Sequence, residues 1–353
     1  MLELFFDLVF VFVITQVTAL INPASGWAGY GRAALVLSLT WYIYNGFAWL
    51  TNNVAPTTLS TRLPMFAAMG CFLAMAVVVP EAFGNGAWVF ALAYLTVVVI
   101  HAVQFARSSL GTSADAIRSI LPVNLTIALL VVVAAAVGPR WGWLAWCLAV
   151  VVIFAAATLE RGTQFTLRAH HFAERHQLLV IIALGETIIQ VGQGSGSRLT
   201  EPPVVAAFIT GLMLIIALWW VYFGTGDDAR GAHAFFLTPE DGRAVLGSRA
   251  YSATHLLHIF GLVLCAAGLH AALHHPLEPL GVALAVTTSA GVTLFLLGQA
   301  AFRAALRIGP SRPHMVAGAL VLVTAGVGVV GPAVALLSAL VLLLLGLSWW
   351  LSR

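Results

Sequence analysis

Long apolar runs alternate with short polar breaks along this chain, and most runs are close to the twenty residues an α-helix needs to cross a hydrocarbon core of roughly 30 Å. Windows of that length place apolar spans at 4–21, 33–51, 63–82, 87–106, 118–138, 141–159, 177–194, 203–224, 250–273, 279–299, 313–331 and 333–351, twelve in all. Gly84-Asn85-Gly86, Gly138-Pro139 and Gly331-Pro332 leave room only for tight turns, so the spans flanking each form antiparallel helix pairs. The longest polar gaps, about 160–177 and 225–249, are too short for a soluble domain. The pattern predicts an all-α integral membrane protein with the lipid bilayer as its solvent.

Composition agrees. Of 353 residues 61% are hydrophobic and only 8% charged, against about a quarter charged in soluble domains. A water-soluble globular domain is thereby excluded. All 16 basic side chains are Arg, scattered over separate short loops, so a pI near 9.0 implies no nucleic-acid partner. Thirteen of them, Arg62, Arg107, Arg118, Arg161, Arg168, Arg175, Arg230, Arg243, Arg249, Arg303, Arg307, Arg312 and Arg353, fall on the side of the N-terminus. Only Arg32, Arg140 and Arg198 fall on the other. This positive-inside bias puts both termini in the cytoplasm, which needs an even number of spans. The first run carries acids where a cleavable leader would be basic, so no leader is expected. Cys71, Cys147 and Cys265 sit in different spans and read as buried thiols.

The two halves echo each other. Gln104-Phe105-Ala106-Arg107 ends the fourth span and Gln299-Ala300-Ala301-Phe302-Arg303 the tenth; Trp41-Tyr42-Ile43-Tyr44 is matched by Trp219-Trp220-Val221-Tyr222-Phe223. At a shift of 171 residues Glu3 falls on Glu174, and Leu8-Val9 on Leu179-Val180. The order of matches predicts two parallel six-helix repeats, 1–159 and 177–353, joined by a cytoplasmic loop at 160–176.

Within this frame the chemistry-bearing residues are few. Glu3 and Asp7 lie four positions apart in the first apolar run and share one helix face. A charge near the middle of a bilayer costs roughly 2.5–3.5 kcal/mol or more, so such acids have a partner, a proton or a cavity. Glu186, in Ala183-Leu184-Gly185-Glu186-Thr187, stands near the middle of the seventh span, with Gln190 one turn on and Gly185 permitting close helix approach. Either it serves function or it is a neutral acid bonded to a neighbouring helix. Before it, His170-His171-Phe172-Ala173-Glu174-Arg175-His176 places His171 and Glu174 on one face if helical. A cytoplasmic cap and ion-pair cluster, with Glu174 paired to Arg175 or another loop Arg, is favoured over a metal site, and whether a metal binds stays open. His255 and His258 share a face of the ninth span and read as packed histidines or as a proton relay, with His270 farther along and His101 similar. Glu81 follows Pro80 at an outer helix end, as an interfacial acid or a vestibule group. Gly192-Gln193-Gly194-Ser195-Gly196 reads as a loop, and no nucleophile elbow or nucleotide fingerprint stands in a suitable context, so no cofactor is expected.

The runs Glu3-Leu4-Phe5-Phe6-Asp7-Leu8-Val9-Phe10-Val11-Phe12, Pro80-Glu81-Ala82-Phe83, His171-Phe172-Ala173-Glu174-Arg175 with Leu184-Gly185-Glu186-Thr187, and Trp219-Trp220-Val221-Tyr222-Phe223 resemble the bacterial low temperature requirement A family. That resemblance implies a multi-pass protein of the bacterial inner membrane without an assigned biochemical activity. The first helix is also similar to that of potassium channels with an Arg…Phe-Ser-Asp signature, built from six-helix units whose first helix lines the pore; Phe6 replaces the signature Ser here. This second likeness implies a homodimer. The leading expectation is therefore transport or conduction of a cation or proton-coupled small solute past Asp7, Glu186, Gln190 and Glu3. Glu174, Arg175, His171, His255 and Glu81 are secondary candidates. The alternatives are a membrane enzyme acting on a lipid or isoprenoid, and a non-catalytic envelope or stress-response protein.

Overall fold

The structure, a computed structural model, describes residues 2–22, 25–54, 56–107, 111–159 and 167–352, and their side chains except at 111–119 and 159. Arg118, Arg161 and Arg353 of the charge count lie outside the described side chains. All regular elements among the described residues are helical: α1 (Leu2–Ala19), α2 (Gly26–Asn53), α3 (Leu59–Val78), α4 (Ala87–Ala106), α5 (Gly111–Val137), α6 (Gly142–Leu159), α7 (Ala169–Ser195), α8 (Pro202–Trp219), α9 (Asp227–Leu237), α10 (Glu240–Gly247), α11 (Thr254–His274), α12 (Gly281–Leu306), α13 (Arg312–Val323), α14 (Ala325–Val330) and α15 (Ala333–Leu351). Among the described residues eleven helical stretches are long and apolar enough to cross a membrane, and Gly142–Thr158 is a shorter apolar helix at the sixth expected position. Apolar length sets these boundaries and turn residues end them: Pro202 opens α8, Pro332 precedes α15, and Gly138 turns at φ 76°. Large apolar side chains such as Phe5, Leu73, Leu92, Leu148, Ile181 and Leu342 are exposed on many helices. A lipid solvent accounts for such surfaces where water would not.

Three segments read from sequence as loops are helical. The polar gap at 225–249 contains α9 and α10. Residues 169–176, assigned to the connecting loop, form the first turns of α7, while 160–166 lie outside the described residues. Finally, α7 runs through Ser195, and the turn comes at Gly196 with φ 52°. Polar composition alone does not end a helix; it shows only that a segment has no apolar face wide enough to register as a span.

The chain forms two compact units. Unit 1 is Met1–Leu20, Trp27–Arg175 and Thr238–Ser248; unit 2 is Ile21–Gly26, His176–Leu237 and Arg249–Arg353. In unit 1, α1 packs on α3, α3 on α4, α4 on α5 and α5 on α6. Its core is aromatic: Phe10 stacks on Tyr44 at 4.3 Å between centroids, and Phe6 lies against Tyr44, Phe47 and Phe72. In unit 2, α11 lies against α12, α12 against α13 and α14, and α8 against α15. The α11–α12 crossing is close because its glycines present backbone to backbone. A Cβ on Gly291 would stand 2.5 Å from the Cys265 nitrogen and 2.7 Å from the Gly261 carbonyl oxygen. Two π-helical turns, Trp220–Gly224 and Ser248–Ala253, break the regular helical register ahead of α9 and α11.

Candidate functional site

Unit 1 gathers four of the residues singled out from sequence. Glu3 and Asp7 project from one face of α1, and the Phe6 and Phe10 contacts bring Tyr44 of α2 beside them. Asp7 is 0% exposed; its Oδ1 accepts from the Tyr44 hydroxyl at 2.6 Å and from Arg175 Nη2 at 2.8 Å. Glu3 Oε2 lies 3.3 Å from His171 Nε2 and 3.8 Å from Arg175 Nη1, nearer the rim. The expected Arg175–Glu174 cap is thereby corrected: because α7 already begins at Ala169, Arg175 points inward to the two α1 acids, and Glu174 is exposed. Asp7 Oδ2 has no hydrogen-bond partner among the described residues. The cluster is thus a buried carboxylate held by one arginine and one phenol, with an acceptor oxygen left over and a second acid and an imidazole at its mouth.

Unit 2 holds Glu186 on α7, 3% exposed. Its Oε1 accepts from Gln190 Nε2, one turn along the same helix, at 2.8 Å. No arginine or histidine lies within ion-pair range of it among the described residues. Gly185 does not mediate a close helix contact, since a Cβ there would meet nothing within 4 Å; that role falls to Gly194, against His270 and Leu273 of α11.

The same unit contains a larger polar chain that sequence reasoning only partly found. The π-turn after α8 aims Tyr222 at α11, where its hydroxyl is 2.7 Å from His255 Nε2. His255 Nδ1 lies 3.3 Å from Thr254 Oγ1, whose own proton goes to the Ala250 carbonyl. This assigns the proton of His255 to Nδ1 and makes Tyr222 the donor to Nε2. The rings of His176 and His258 each lie 5.1 Å from that of His255. His258 Nε2 then meets Gln299 Oε1 at 3.1 Å, and Gln299 Nε2 donates to Asp227 Oδ2 at 2.7 Å. Asp227, 0% exposed at the start of α9, also takes both oxygens' worth of Arg303 Nη1, at 2.5 and 2.7 Å, and Arg230 Nη2. In the sequence Asp227 belongs to a polar gap, while Gln299 and Arg303 stand in a repeat motif and Arg303 also counts among the cytoplasmic charges. Their one sequence signal is Gln299 and Arg303 four apart in a helix, which puts them on one face.

The remaining candidates have simpler surroundings. Glu81 is exposed, and its carbonyl oxygen accepts from the Gly84 and Gly86 nitrogens, closing the turn before α4. His101 Nε2 meets the Gly46 carbonyl at 2.9 Å, joining α4 to α2 as interhelical glue. Cys71 and Cys147 are partly exposed free thiols and Cys265 a buried one. No trio of His, Cys, Asp or Glu among the described residues is arranged to hold a metal ion.

An all-helical chain with many apolar spans and charged pairs sealed inside it defines a polytopic membrane protein. The chain belongs to the bacterial low temperature requirement A family: residues 1–349 match the family described as "Bacterial low temperature requirement A protein (LtrA)". It is 27% identical over 312 residues, covering 84% of this chain and 75% of the relative, to an uncharacterized protein of Rhizobium meliloti (strain 1021). No solved structure matches the chain.

Proposed function

We propose that this protein carries a cation, a proton or a proton-coupled small solute across the bacterial inner membrane, with both termini in the cytoplasm. The observation that carries the reading is Glu186: a buried carboxyl in mid-helix whose hydrogen bond is to Gln190 of its own helix, with no cationic side chain in range among the described residues. A carboxyl so placed is a binding group for whatever neutralises it, a proton or a cation, because leaving it charged and unpaired in an apolar surrounding costs roughly 2.5–3.5 kcal/mol or more. Gln190 supplies a second oxygen for such a ligand. In unit 1 the leftover acceptor of Asp7, with Glu3 and His171 toward the rim, supports the same chemistry. The matching order of motifs supports two parallel six-helix repeats, and the channel likeness of α1 supports a homodimer.

The test is flux in proteoliposomes under imposed pH, Na+ and K+ gradients, with wild type beside Glu186→Gln and Glu186→Asp. Wild type should dissipate at least one gradient, Glu186→Gln should lose that flux while still eluting as folded protein, and Glu186→Asp should keep part of it. Absence of flux under every gradient, together with an unchanged cellular phenotype for Glu186→Gln, overturns the proposal.

A further inference from the structure

Unit 2 holds buried imidazoles that the transport reading does not use. His314 of α13 is 0% exposed, and neither Nδ1 nor Nε2 has a hydrogen-bond partner among the described residues. A neutral imidazole has one N–H to donate and one lone pair to accept, so both of its polar functions are stranded, an arrangement that costs stability unless something else is bound. The ring lies close enough to Arg303, Asp227 and His258 to feel their charges. His258 is equally buried, and its orientation is fixed from the far side. Asp227 can only accept, so Gln299 must turn its amide nitrogen to it and its oxygen to His258, and His258 must carry its proton on Nε2. His258 Nδ1 makes no hydrogen bond of full geometry, but the Thr254 carbonyl one turn back faces the ring and can accept from a proton on that nitrogen. The two stranded nitrogens of His314 thus stand within electrostatic reach of His258 and of an aspartate–arginine pair, and Arg230, 51% exposed, links that pair to the solvent.

We propose that His258 and His314, set against the Asp227–Arg303 pair, form an internal proton-binding centre that takes up one proton through water. Hydronium gives its proton to one imidazole lone pair and leaves as water; the stranded N–H and lone pair of His314 hold that water in the neutral state. One proton is the limit, because a second would put two imidazolium ions within electrostatic reach of each other and of Arg303. Other charged or titratable groups face the centre from neighbouring elements. They are His176 of α7, Tyr222, Asp228 and Arg230 around the start of α9, and Tyr251 and His255 around the start of α11. Asp227 and Asp228 offset Arg303 and Arg230, so the centre starts from a formally balanced charge. This centre stands apart from Glu186 and does not depend on transport.

The experiment is solid-state NMR of full-length protein labelled with 15N-histidine in bilayers, titrated from neutral to acid pH. Signals are assigned by the loss of one resonance each in His258→Gln and His314→Gln. The expected result is that one imidazolium signal appears, shared between these two residues, while the protein stays folded. Each single variant should move uptake on the remaining ring by about one pH unit or more. Gln299→Leu, which removes the acceptor for Nε2–H and leaves both rings in place, should shift uptake to lower pH. If both rings keep neutral-imidazole signals until the protein unfolds, or if Gln299→Leu leaves uptake where it was, the proposal is overturned. A titrating centre in a protein without flux would refute transport alone; a silent centre in a protein with flux would refute this inference alone.

Discussion

Replacing Arg175 by Met strips Asp7 of its cation while keeping most of the side-chain volume. Asp7 has no solvent to turn to, and the hydrogen bond that remains to it is from Tyr44. Removing one partner of a buried ion pair costs about 3–5 kcal/mol, because the other charge is left uncompensated. Asp7→Leu alone should cost a similar amount, now by stranding the guanidinium, which has Nε and Nη1 already without hydrogen bonds and Glu3 as its remaining anion at 3.8 Å. Were the two changes independent, the double variant would lose about 6–10 kcal/mol. The pair predicts instead that Asp7→Leu with Arg175→Met loses only about 1–3 kcal/mol, since an apolar pair replaces it without stranded charge and leaves the buried Tyr44 hydroxyl without its acceptor. Tyr44→Phe removes one hydrogen bond to a charged acceptor and should cost about 1.5–3 kcal/mol. The assay is reversible unfolding in mixed micelles by SDS titration, followed by far-ultraviolet circular dichroism and tryptophan fluorescence. If Arg175→Met costs under about 1 kcal/mol, or the double variant falls at the sum of the singles, the buried pair does not hold unit 1 as described.

Gly291→Ala should destabilise by about 1–3 kcal/mol or more, since its Cβ would meet backbone atoms of Cys265 and Gly261 that cannot move aside; no side-chain truncation should rescue it in the same unfolding assay. Gly268→Ala meets instead the side chain of Thr288, so adding Thr288→Ala should restore part of the lost stability, the Cβ of residue 288 still standing 2.8 Å away. The exposed Arg198–Glu201 pair holds the Glu201 carboxyl below its ordinary value through the hydrogen bonds from Arg198. A lowered acid contributes above its unfolded value and loses that contribution as pH falls through the folded one. Glu201→Gln should therefore have its largest effect at neutral pH, and because both groups are exposed, even there the unfolding midpoint should not move measurably; a clear shift would contradict the assignment.

Apolar length and turn residues located the helices, closely where turns flank them, as 87–106 in α4, Ala87–Ala106, and 333–351 in α15, Ala333–Leu351, but short at polar ends, as 33–51 in α2, Gly26–Asn53, and 177–194 in α7, Ala169–Ser195. Helix formation in an apolar solvent is a local matter, because each segment must satisfy its own backbone, so local sequence determines it. The shared face of Glu3 and Asp7, and that of Glu186 and Gln190, followed from the same periodicity. The partners of these acids did not follow. Asp7 is held by Arg175, 168 positions away, and Asp227 by Arg303, 76 positions away. No periodic pattern links such residues, and the segments that carry Arg175 and Asp227 look merely polar until they are seen to be helical. The sequence by itself determined a multi-pass helical membrane protein of this family and the positions where charge enters its spans. Only the tertiary structure decided which of those charges are paired, which imidazoles are stranded, and which carboxyl lacks a cation among the described residues, because those properties arise from side chains that meet after the helices have packed.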